Sequence, residues 1–158
     1  MTLRQPVSPL LLLGAVALAG EAVVHVQQYF ALFHDIRWIG PLFLANAAAC
    51  AVTVAGLAHS RTRYLAALAG VVTSAVALAG LIVSYGQGLF GWQEGGFRPI
   101  IQLTVSFELA AVVLLSAALA AASTAARSPA DGRALSRGPS PLRPPMAQGP
   151  AGASSGTR

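Results

Sequence analysis

Apolar residues run in long stretches from Pro9 to Ala122, broken only by short polar or glycine-rich links. A hydrocarbon core about 30 Å thick needs roughly 20 apolar residues in helix. Four windows reach that length, at residues 9–33, 39–58, 64–85 and 99–122. Pro9, Pro41 and Pro99 stand near the helix starts, where a missing N–H is harmless. The links at 34–38 and 59–63 are short enough to force antiparallel neighbours. The third link, 86–98, is rich in glycine and carries Phe90, Trp92 and Phe97, which predicts a loop folded at the membrane interface. The fold class expected is therefore all-α: a transmembrane antiparallel four-helix bundle over residues 1–126, followed by a disordered C-terminal tail over 127–158.

Helical phase, at about 100° per residue, gives each window one small-and-polar face. In the first it holds Gly14, Ala17, Glu21, His25 and Gln28; in the second, Asn46, Cys50 and Thr53. In the third, Ala66, Gly70, Thr73, Ala77, Gly80, Ser84 and Gln87 form a ribbon, and in the fourth Thr104, Glu108 and Ala111 align. In lipid such faces pack helix on helix, because small residues allow close approach and polar ones hydrogen-bond across the seam. Depth sharpens the picture. At about 1.5 Å per residue, Glu21, His25, Gln28, Asn46, Thr104 and Glu108 fall at overlapping heights toward one end of the bundle. They are expected to form one intramembrane polar cluster, in which two carboxyls at close range would share a proton or pair with a protonated His25.

Composition confirms the class: 55% of residues are hydrophobic and 9% charged, against roughly 25% charged in soluble domains. There is no lysine. The net charge of +5 comes from arginine, and it lies beside the apolar windows or in the tail, so it reads as an orientation signal and not as a nucleic-acid footprint. Arg4, Arg61, Arg63 and the tail arginines share one side, leaving Arg37 and Arg98 on the other with Asp35 and Glu94. Tyr29, Phe30, Trp38, Tyr85, Phe90 and Trp92 gather on that second side. A multi-pass protein of the plasma (inner) membrane with cytoplasmic N- and C-termini follows. Proline, glycine, serine and arginine dominate the tail, which cannot bury enough surface to offset its ordering entropy. Arg4, the run Leu10–Val16 and Ala17-Leu18-Ala19 also resemble a cleavable signal peptide. The small-residue stripe continues through Ala19 unbroken, so the first helix is expected to stay uncut. Cys50 stands alone and allows no disulfide framework; it reads as a small buried hydrophobe.

No phosphate-binding loop, dinucleotide glycine pattern, nucleophile elbow or zinc-protease helix is present in the sequence. The polar cluster has three readings: hydrogen-bonding glue between helices, a proton- or cation-handling cavity, or a metal site. For a metal, Glu21 and His25 at i, i+4 would join Glu108 as ligands. His25 and His34 point to nearly opposite sides of one helix, which argues against bis-histidine haem.

The segment HVQQYFALFHDIRWIGPLFLANAAA at 25–49, with its W-I-G-P-L-F-L run, and the loop Gly88-Leu89-Phe90-Gly91 resemble small, uncharacterised four-span membrane proteins of high-GC actinobacteria. The resemblance covers roughly residues 10–120 and implies an intact first helix, without an activity. A looser likeness to DoxX-type four-span proteins rests on size and span count alone. The function expected is a non-enzymatic membrane component, either an accessory subunit or a small-molecule or ion binder. A minimal proton- or ion-coupled carrier or channel is the alternative, and a DoxX-type redox accessory protein the third. No cofactor is expected, and the partners expected are the lipid bilayer and a membrane protein or a second copy of the chain.

Overall fold

The first helix, α1 (Pro9–Gln28), runs without a break into a π-helical segment (Tyr29–Phe33), and α2 (Ile39–Ala58), α3 (Arg63–Gly86) and α4 (Pro99–Arg127) follow. The computed structural model describes residues 8–127; Arg4 and the tail over 128–158 lie outside the described residues. All four helices are long and apolar enough to cross a bilayer, an architecture compatible with a small multi-pass membrane protein. Three windows match the expected spans closely, while α4 continues to Arg127. Alanine dominates its last turns, and alanine has the best helix propensity of any residue.

The helices alternate in direction. Gly56 of α2 packs on Ala66 of α3 at the end bearing Arg61 and Arg63, and Gly40 sits under the Phe33 carbonyl at the opposite end. Gly14 and Gly20 of α1 meet Leu115 and Phe107 of α4 in antiparallel register. Gly70 of α3 lies against Leu18 of α1, Thr53 of α2 and Leu115 of α4 together. A four-helix bundle results, with Leu18, Cys50, Ala67, Ala111 and Leu115 fully buried in the half nearer the 59–62 turn. The outward faces are apolar instead: Leu13, Val23, Val52, Leu65, Val76, Ile82 and Val113 are each more than half exposed. That inversion suits lipid, which solvates leucine as well as a protein core does.

The end opposite the 59–62 turn is built from aromatics. In an α-helix Phe33 would stand roughly 140° round from Gln28; the i→i+5 pairing of the π segment swings it back over the buried face. There it stacks on Phe43 at 4.4 Å and meets the edge of Trp92 at 5.4 Å. Leu89 and Trp92 exchange backbone hydrogen bonds of 2.7 and 2.9 Å around a two-residue turn. Both central residues, Phe90 (φ 50) and Gly91 (φ 82), take positive φ, as a type I′ turn requires. The Glu94 amide donates to the Ser84 carbonyl and the Tyr85 hydroxyl to that of Gly96. The 86–98 link is thus a folded cap, as its composition predicts.

Candidate functional site

Glu21 sits midway along α1 and is fully buried. Each of its carboxyl oxygens accepts one interhelical hydrogen bond. Asn46 Nδ2 of α2 donates to Oε1 at 2.8 Å, and the Ser74 hydroxyl of α3 donates to Oε2 at 2.7 Å. One turn further along, His25 Nδ1 donates to the Glu21 carbonyl at 3.0 Å. That bond fixes the tautomer, because a carbonyl can only accept. The other ring nitrogen, Nε2, then faces α4, where it lies 3.9 Å from Glu108 Oε1. Glu108 is itself 2% exposed, and its Oε2 has no hydrogen-bond partner among the described residues. All four helices therefore contribute to one cluster, with Asn46 also reaching Cys50 Sγ at 3.9 Å.

Above this cluster, toward the aromatic end, the helices separate around a cavity of about 550 Å³. His25, Asn46 and Glu108 line its floor, and Phe33, Phe43 and Trp92 cover it. The His25 ring lies 5.0 Å from that of Phe43, so floor and cover are continuous. Leu42 and Ala45 of α2 and Val72 and Val76 of α3 are exposed and line it too, so the cavity opens sideways between those helices. Glu94 and Arg98 mark its upper rim, joined at 3.1 Å through Arg98 Nη2, while the buried Arg98 Nε has no partner among the described residues.

The remaining residues of the expected cluster divide. Gln28 is buried and lines the cavity one turn above His25. Thr104 lines it as well, with its hydroxyl donated to the Ile100 carbonyl of its own helix at 2.9 Å. In the small-residue stripes, Gly14, Ala17 and Gly70 are buried at helix crossings. Thr73, Ala77, Gly80 and Ser84 all border the cavity. Ser74, which the helical-phase reading passes over in favour of Thr73, is the α3 residue that holds Glu21. Thr73 and Ser74 stand three and four residues on from Gly70, so helical spacing puts both on its face and does not separate them.

Comparison with known proteins adds no relative. No family model, curated protein or solved structure matches the chain.

Proposed function

We propose that this multi-pass protein is a non-enzymatic membrane component that binds an apolar-bodied small molecule in the cavity between α2, α3 and α4. The ligand enters sideways from the lipid. The observation that carries this reading is Glu108 on the floor of an otherwise mainly apolar chamber, its carboxyl buried with Oε2 left unpartnered among the described residues. A buried polar atom without a partner costs about 1–3 kcal/mol, and a ligand head group that hydrogen-bonds to it removes that cost. Binding sites for small molecules combine apolar walls with a few placed polar groups in this way. The exposed apolar sides of the opening admit a molecule already dissolved in the bilayer. The arginine asymmetry favours cytoplasmic termini, and with them a cavity that serves the outer leaflet.

The test uses the two tryptophans. Trp92 covers the cavity, and Trp38→Phe leaves it as the sole indole. With the protein in nanodiscs, a brominated long-chain alcohol should quench Trp92 saturably. Gly80→Leu should abolish the saturable phase, because a Cβ there meets only Leu89, at 3.8 Å, and the rest of the side chain fills open space. Quenching that rises linearly and equally in both proteins would refute a binding cavity.

A further inference from the structure

We infer that Glu21, His25 and Glu108 hold a divalent first-row transition-metal cation at the floor of the cavity. Each offers one ligand atom, and these atoms lie within 4.8 Å of one another, all on buried side chains. Around a tetrahedral ion with bonds of about 2.0–2.1 Å, ligand atoms sit roughly 3.3 Å apart. The triad thus needs a closure of about 1.5 Å at most, which rotation of the Glu108 carboxyl, free at Oε2, supplies while Glu21 stays on its two donors.

Three independent features support a metal over simple glue. The first is orientation. Metal-bound histidines almost always donate their second ring nitrogen to a carbonyl or carboxylate, and ligating carboxylates are themselves hydrogen-bonded. His25 Nδ1 is committed to the Glu21 carbonyl, which leaves Nε2 free on the site side. Glu21 is oriented from both sides by Asn46 and Ser74. The second is the unpartnered Glu108 Oε2, which is buried beside the same point. The third is charge. Two carboxylates taken deep into a low-dielectric span are costly, and a dication makes the set neutral with His25 uncharged. One imidazole and two carboxylates suit zinc, iron, cobalt or manganese better than calcium, which takes six to eight oxygens. His25 and Glu108 line the cavity floor, so a fourth coordination position would be reached from the cavity. The inference does not rest on ligand binding there, since the triad can bind an ion while the chamber holds lipid.

The experiment uses the full chain, free of any histidine tag, stripped with chelator in detergent and titrated with Co²⁺. Saturable visible ligand-field bands at one ion per chain are expected, with the bands displaced by Zn²⁺. His25→Gln and Glu108→Gln should each weaken binding by more than tenfold. Ser74→Ala should weaken it by about 10–100-fold, as loss of a partner that orients a ligand does, while the exposed Asp35→Asn should leave it unchanged. A stripped wild-type protein without saturable bands overturns the inference, whether or not the variants fold. Binding equal to wild type in folded His25→Gln and Glu108→Gln overturns it too. Saturable Trp92 quenching in a protein that binds no Co²⁺ would remove the metal and leave the cavity reading intact.

Discussion

At the scale of single residues, the decisive arrangement is the pair of donors on Glu21. Asn46 and Ser74 come from different helices and each takes one carboxyl oxygen, so the side chain is fixed in rotation as well as position. Interhelical hydrogen bonds in membranes average about 0.6 kcal/mol and reach about 1.7 kcal/mol. Ser74 is fully buried, and its loss exposes no compensating water. Ser74→Ala should therefore lower the unfolding free energy by about 1–2 kcal/mol, measured by unfolding in mixed micelles. In a Glu21→Leu background the same change should be nearly neutral. A double-mutant cycle with coupling close to zero would show that the hydroxyl does not bond the carboxyl. The convergence of Glu21, His25, Asn46 and Glu108 was legible from helical phase and depth, because both are set by backbone geometry alone. Ser74 was not. It stands next to Thr73 in a helix with hydroxyl and small residues on adjacent faces, so periodicity cannot choose which hydroxyl turns inward.

At the scale of elements, small residues do two different jobs along one helix. Gly70 is a contact. A Cβ there would fall 2.6 Å from Leu115 Cδ1 and 3.0 Å from Leu18 Cδ1, both on buried side chains. Gly80, three turns or so further along α3, borders open space. Gly70→Leu should thus destabilise the bundle by about 1–3 kcal/mol or more through overpacking, whereas Gly80→Leu should leave thermal stability near that of the parent. Equal losses at the two positions would mean that α3 packs alike along its length and that the cavity is closed in the bilayer. Helix identity and approximate ends follow from the apolar windows and their prolines. The separation of α2 from α3 does not, since a ribbon of alanine, glycine and threonine describes a tight seam and a cavity wall equally well. Nor does the π segment, whose single change of hydrogen-bond register is what turns Phe33 into the cover.

At the scale of the whole molecule, the two ends of the bundle differ in chemistry. One presents the 59–62 turn with Arg61 and Arg63 beside it, the Arg63 Nε donating to the Leu57 carbonyl. The other presents the aromatic cap, where positive charge is locally answered: Arg98 pairs with Glu94, and the Arg37 guanidinium lies over Trp38 at 5.1 Å. Arginines in short loops are retained on the cytoplasmic side, and tryptophan and tyrosine collect at interfaces. A reporter fused after Ala58 should accordingly score cytoplasmic, and one inserted after Gln93 extracytoplasmic. Adding two arginines within the 34–38 link, which already holds Arg37, should reduce the contrast by evening the charge between the ends. The opposite score at both sites would turn the cavity and its lateral opening toward the inner leaflet. The Glu21–His25–Glu108 triad would then draw its cation from the cytosol, where the same Co²⁺ titration would still detect it but the route of supply would reverse.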